Sequence, residues 1–212
     1  MTRGSVGVWD PFVRLGHWTI VCAFAVAYVT GDEFLTTHVW AGYVVGVVVA
    51  LRIVWGFIGP RRARFSDFVC RPMAVVTYLA DLARFRARRY LGHSPAGGAM
   101  VIALLLSVAL TVVTGLMVYG AEKKAGPLAP LYATAAARSP ISAQAAEERG
   151  EASSENGAGE GLEDVHELFA NLTLVLACLH VLGVALASVA HRENLVAAMI
   201  TGRKRAPEPG AE

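Results

Sequence analysis

Six histidines occur in this 212-residue chain, and four of them stand at the ends of apolar runs or inside them. His17 lies near the start of FVRLGHWTIVCAFAVAYVTG (12–31), His38 opens HVWAGYVVGVVVALRIVWGF (38–57), His166 opens the last long apolar run, and His180 lies deeper within it. An ionisable ring beside such residues is costly in a bilayer, so each calls for a role and a partner. From His166 to His180 is fourteen residues, on a helix roughly 21 Å of rise and about 40° short of four full turns. Both rings therefore leave the helix on nearly one face, separated by most of the hydrocarbon thickness.

The elements that carry these rings follow from composition. With 55% hydrophobic and only 17% charged residues, the chain is too apolar for an ordinary soluble domain of its size. Runs free of formal charge cover 15–31, 39–58 with Arg52 as the exception, 96–121 and 168–190. Each is near the ~17–25 residues a helix needs to cross a bilayer, and none alternates as a barrel strand would. The expected fold is all-α, an integral membrane four-helix bundle forming a single domain over 1–212, with spans at about 14–31, 38–58, 96–120 and 165–190. Asp10 before Pro11, and Ser94 before Pro95, are N-cap and first-turn signals for the first and third spans. The first run reads as a retained helix and not as a cleaved signal, since cleavage would discard His17.

Orientation follows from the basic residues. The 60–95 segment holds Arg61, Arg62, Arg64, Arg71, Arg84, Arg86, Arg88 and Arg89 against Asp67 and Asp81, and Arg192, Arg203, Lys204 and Arg205 follow the fourth span. That side is expected to be cytoplasmic, with both termini inside. The opposite side receives Asp32, Glu33 and the acidic connection over about 122–163, whose Ala, Glu, Ser and Gly offer little to bury and are expected to be flexible. Between the second and third spans, about 72–90 places Val75, Leu79, Leu82 and Phe85 at helical spacing, which suggests an amphipathic helix on the anionic membrane lipid of the cytoplasmic leaflet. Nothing suggests nucleic-acid binding. Cys22, Cys70 and Cys178 are scattered and form no framework, and no C-x-x-C-H motif for covalent haem attachment is present.

This topology supplies partners for the histidines. His38 is expected at the level of His166 on the outer side, and His17 at the level of His180 on the cytoplasmic side. Two imidazoles from different helices in a dry bundle suit axial coordination of a haem iron, and two bis-histidine b haems fit the two pairs. Zinc would want a third and fourth ligand, and no cysteine or carboxylate accompanies either pair.

These residues carry a resemblance. WDPFVRLGHW before the first span, the second span itself, GHSPAGGAM opening the third and VHELFANLTLVLACLH in the fourth resemble the prokaryotic cytochrome b561 family, which includes the b-type subunits of nickel-iron hydrogenases. All of the chain outside about 128–163 takes part. The resemblance implies two b haems held by His17, His38, His166 and His180, and electron transfer across the membrane between the quinone pool and a redox partner. That partner would be a dehydrogenase subunit or a periplasmic cytochrome; a stand-alone superoxide:quinone oxidoreductase and a homodimer are also compatible. Two readings from other classes stay open, a metal transporter and a non-catalytic membrane anchor.

Other residues have two readings each. Arg52 lies fourteen residues after His38, so it returns to nearly the same face at the cytoplasmic level, to hold a haem propionate or to snorkel to the headgroups. Arg14 has the same two options. Gly42 and Gly46 let a macrocycle or a helix approach. His93 either belongs to the local structure, lines a quinone pocket or reaches a propionate, and His191 reads as interfacial.

Overall fold

The structure is a computed structural model and describes residues 4–31, 33–132 and 153–206; the 133–152 part of the acidic connection lies outside the described residues. Among the described residues four helices are long and apolar enough to cross a membrane: α1 (Pro11–Thr30), α2 (Leu35–Ile58), α4 (Pro95–Glu122) and the Gly161–His191 part of α5 (Ser153–His191). Their outward surfaces are apolar, as a lipid-facing bundle requires: Phe57, Ile58, Val181 and Leu182 are each at least 65% exposed. The protein is an all-α, multi-pass membrane protein. By internal packing it divides into two compact units, Met1–Leu105 with Val175–Glu212, and Leu106–Leu174.

In the first unit the Asp10 carboxylate accepts the Val13 N–H at 3.1 Å, and Pro11 fills the first turn, so α1 begins where an N-cap dictates. The short 31–34 connection turns α1 into α2, and Val13, Ala41, Val45 and Val49 are buried. Two 3-10 turns follow, Arg61–Ala63 and Phe65–Asp67, the first braced by the Arg64 guanidinium donating to the Gly59 carbonyl at 2.6 Å. The amphipathic helix of this connection, α3, is Pro72–Ala83. It stops short of residue 90 because the chain passes through the left-handed region at Phe85 (φ 56). Tyr78 and Leu82 are buried, while Met73, Val76 and Leu79 are exposed, so α3 packs one face on protein and offers the other outward.

A cap that sequence patterning does not foretell joins the chain ends. Strand β1 (Ser5–Gly7) pairs antiparallel with β2 (Arg203–Arg205). Helix α6 (Leu195–Thr201) delivers β2 through Gly202, whose φ of 78 closes the helix while its carbonyl accepts the N–H of Val8 at 2.8 Å and of Trp9 at 3.2 Å. Glu193 is the hub. Its carboxylate takes two hydrogen bonds from Arg89 (2.8 and 3.1 Å) and one from the Arg205 N–H (2.9 Å), and Arg89 also donates to the Arg205 carbonyl at 2.6 Å. Burial opposes ionisation of Glu193, but these donors and the Arg89 and Lys204 charges outweigh it and hold the carboxyl below its ordinary range. Lys204 is only 7% exposed, its ammonium 5.4 Å above the Trp9 ring and 3.4 Å from the carbonyls of Tyr90 and Gly92.

In the second unit α4 and α5 meet through hydroxyls. Ser107 and Thr173, both buried, lie 2.7 Å apart, and Thr111 lies 3.2 Å from Thr173. Interhelical contacts of this kind are worth roughly 0.6 kcal/mol each in a bilayer, and they fix the register of the two helices.

Candidate functional site

His17, in the second turn of α1, and His180, about three turns before the end of α5, lie with ring centres 6.4 Å apart and planes inclined by 58°. Two imidazoles on one iron place their nitrogens about 4 Å apart and their ring centres about 6.3 Å apart, adding about 1.1 Å from each nitrogen to its ring centre. The observed separation is close to that value. Direct imidazole–imidazole hydrogen bonding does not account for the pair, and His17 Nδ1 is buried with no hydrogen-bond partner among the described residues. Trp18 meets the His17 ring edge-on at 5.2 Å, limiting its rotation.

His38 opens α2, where its Nδ1 lies 2.8 Å from the Ala27 carbonyl on α1. A carbonyl oxygen accepts only, so Nδ1 carries the proton and Nε2 keeps its lone pair. His166 on α5 repeats the arrangement, with Nδ1 3.0 Å from the Thr111 carbonyl and 3.2 Å from the Thr114 hydroxyl. The Thr114 hydroxyl donates to the Leu110 carbonyl at 2.8 Å, which leaves its oxygen facing the ring N–H. Donation from Nδ1 to a backbone carbonyl is the usual way a metal-ligating histidine is oriented and made more basic. The ring of His166 lies so close to α4 that a Cβ on Gly115 would stand 2.8 Å from its Cε1. His38 belongs to the first unit and His166 to the second, so each is described within its own unit.

Around the His17 end, Arg52 neither reaches a carboxylate nor swings free. Its guanidinium lies 5.5 Å above the Phe65 ring, and Nη1 is buried without a partner. Phe65 can lie there only because α2 has a glycine beneath it, since a Cβ on Gly56 would come within 2.2 Å of the ring. Arg14 turns the other way and donates to the Ile200 carbonyl in the cap, while its Nε is buried and unpaired. His93 is enclosed by Phe68 at 4.4 Å and Trp9 at 4.6 Å. Burial, then the positive charges of Arg52 and Lys204, push His93 down to about 4, so its imidazole is neutral near pH 7. Trp55, which spacing alone did not single out, packs on Phe12 at 4.6 Å with its indole N–H buried and unpaired. His191 meets the Tyr78 hydroxyl at 3.3 Å, a structural contact.

The donor set fits a bis-histidine haem on two counts: the ring separation of the first pair and the Nδ1–carbonyl contacts that set the tautomers of His38 and His166. It does not fit a tetrahedral metal, since no three His, Cys, Asp or Glu side chains converge among the described residues. Gly42 and Gly183, each about one turn from a histidine, have nothing within 4 Å of an added Cβ, which leaves room along His38 and His180. A separate groove of about 530 Å³ between α1 and α2, lined by Trp18, Thr19, Cys22, Val26, Ala41 and Val44, is almost wholly apolar.

Comparison with known proteins gives one family. Residues 8–202 match prokaryotic cytochrome b561. Two curated relatives, from Bradyrhizobium diazoefficiens and Rhodobacter capsulatus, are 29% and 26% identical over 55% of this chain, and each bears the name "Probable Ni/Fe-hydrogenase B-type cytochrome subunit". The chain spans 59% and 56% of their lengths. No solved structure matches.

Proposed function

The chain belongs to the prokaryotic cytochrome b561 family, and on that premise we propose that it is a dihaem b-type cytochrome of the bacterial inner membrane, carrying electrons between the quinone pool and a redox partner. The observation that carries this reading is the 6.4 Å separation of His17 and His180, which matches a shared axial iron. We assign His38 and His166 to the second haem from their sequence positions, and each has its Nδ1 on a backbone carbonyl. The Arg excess of the 60–95 segment and of the C-terminal segment puts the cap and both termini in the cytoplasm, so His17 and His180 hold the inner haem and His38 and His166 the outer.

When bound, haem supplies one-electron chemistry at iron. The residues of this chain do the rest. The four imidazoles would hold the iron of the two haems. Carbonyl contacts at Ala27 and Thr111 fix the orientation of two of them. Arg52, held over the Phe65 ring, would contribute a fixed positive charge to the inner site.

The names of the two relatives favour a hydrogenase as partner, with this chain as its membrane-bound electron acceptor. The test is direct. Purified protein should carry two non-covalently bound b haems per chain by pyridine haemochrome, with a low-spin spectrum in both oxidation states. A colourless protein, or one haem per chain, would contradict the assignment. Reduction of both haems by hydrogen when a hydrogenase is co-purified would establish the partner, and failure to co-purify or to reduce would remove it.

A further inference from the structure

Five buried side-chain nitrogens lack a hydrogen-bond partner among the described residues: Arg14 Nε, His17 Nδ1, Arg52 Nη1, Trp55 Nε1 and His93 Nδ1. They come from the first two turns of α1, the last two turns of α2 and the residues just before α4, all in the first unit. His17 belongs to the iron pair, and Arg14 is tied to the cap through Ile200. Three remain: Arg52, Trp55 and His93.

Their chemistry points one way. A guanidinium and an indole N–H can only donate, and a neutral imidazole has one N–H to give. Leaving a buried donor unmade costs about 1–3 kcal/mol, so three together ask for a group rich in acceptor sites and carrying negative charge. A carboxylate offers about four lone-pair positions and no donor. The chain's own carboxylates do not serve. Asp10 caps α1 through the Val13 N–H and acts on Arg52 only through its field, without a hydrogen bond or ion pair to it, and among the described residues the ion pairs are Arg61 with Asp67 and Arg89 with Glu193.

The walls are built for a desolvated anion. Arg52 and Trp55 are three residues apart, on neighbouring turns of one α2 face, and Arg52 is fixed over Phe65 by the missing side chain of Gly56. Phe65 stacks on Phe68 at 5.8 Å, and Phe68 covers His93 at 4.4 Å, so one aromatic row links the guanidinium to the imidazole. Trp55 is held from the other side by Phe12 and by Gly59, where a Cβ would come within 2.8 Å of the indole nitrogen. The positive field that holds His93 neutral is uncompensated by any carboxylate in contact with it.

We propose that Trp55 and His93 complete, with Arg52, a three-donor seat for a buried carboxylate, a propionate of the porphyrin whose iron His17 and His180 would hold. The inference rests on the dihaem reading given above. Trp55 and His93 are then positioning residues: they orient the macrocycle and neutralise part of its charge without touching the iron.

The test is Trp55→Phe, which keeps an aromatic ring beside Phe12 and removes the N–H together with the five-membered ring, with His93→Leu as its companion. The inner haem is identified as the one absent from His180→Ala. In each variant its midpoint potential should fall, because a less neutralised propionate favours ferric iron, while the outer haem stays unmoved. Resonance Raman propionate-bending bands of one haem should shift in parallel. Should Trp55→Phe fail to assemble, the wild-type protein decides, since a propionate held by N–H donors shifts its bending band on exchange into D2O. Both variants retaining two haems with unmoved potentials and bands would overturn the seat and leave the dihaem reading intact. Loss of a tightly bound phospholipid in Trp55→Phe, again with unmoved potentials, would assign the donors to a lipid phosphate and equally overturn it. Wild-type protein without an inner haem would instead sink the reading on which the seat depends.

Discussion

Gly115→Ala puts the smallest possible change next to the outer histidine. The added Cβ would stand 2.8 Å from Cε1 of His166, 3.2 Å from Nδ1 and 3.5 Å from Nε2, where carbon contacts prefer about 3.5–4.0 Å. The ring must therefore move by about 0.7–1.2 Å, and its 3.0 Å contact with the Thr111 carbonyl would stretch beyond hydrogen-bonding range. Overpacking of this kind costs about 1–3 kcal/mol, and at about 1.4 kcal/mol per tenfold that is roughly a 5- to 150-fold weaker hold on the outer haem. Pyridine haemochrome on purified variant protein should show between one and two haems per chain, the missing fraction matching the spectrum lost in His166→Ala. Gly161→Ala is the control, since an added Cβ there meets nothing within 4 Å, and it should leave haem content at the wild-type level. Full retention of both haems with unchanged spectra in Gly115→Ala would show that α4 does not position His166, or that His166 holds no iron.

Three further outcomes concern the cap and the inner site. Gly202→Ala should destabilise the detergent-solubilised protein by more than the about 1–2 kcal/mol of a left-handed residue alone, because its Cβ would also meet the Trp9 carbonyl at 2.8 Å and the Arg14 guanidinium at 2.9 Å; thermal unfolding measures this, and an unchanged midpoint would count against the cap as a stabilising element. Glu193→Gln should cost about 3 kcal/mol by stranding Arg89. Because the folded-state pKa of Glu193 is depressed, its contribution is complete above the ordinary glutamate range and is lost as pH falls through the folded value, so stability of the wild type should drop on acidification where that of Glu193→Gln is flatter. Arg52→Leu should lower the potential of the inner haem alone, by about 40–80 mV if the charge acts over about 10 Å at an effective dielectric of 20; redox titration reads it, and equal shifts in both haems or none would show that the guanidinium does not act on the inner site.

Sequence and structure meet unevenly, for physical reasons. The spans are legible because a lipid-facing helix must be apolar on every side, and α1, α2, α4 and α5 lie where charge is absent. The histidines are legible because lipid makes each one an exception, and the rings of His17 and His180 lie 6.4 Å apart. Strands β1 and β2 were not, since SVG and RKR are too short to carry a pattern and pair across nearly the whole chain. Lys204 reads as one more cytoplasmic cation until Trp9 is seen beneath it. Trp55 looks like any aromatic in an apolar run, and only its unpaired N–H sets it apart. The end of α3 at Ala83 is equally silent, because Phe85 in a left-handed conformation is imposed by packing and not by propensity.

The pairing of ligands is the centre of the account, and single alanine replacements of His17, His38, His166 and His180 test it most directly through reduced-minus-oxidised spectra and haem content. The four variants should fall into two classes: His17→Ala and His180→Ala losing one haem and sharing a residual spectrum, His38→Ala and His166→Ala losing the other. A set in which His38→Ala matches His180→Ala, or in which any of the four retains both haems in a low-spin state, would contradict it.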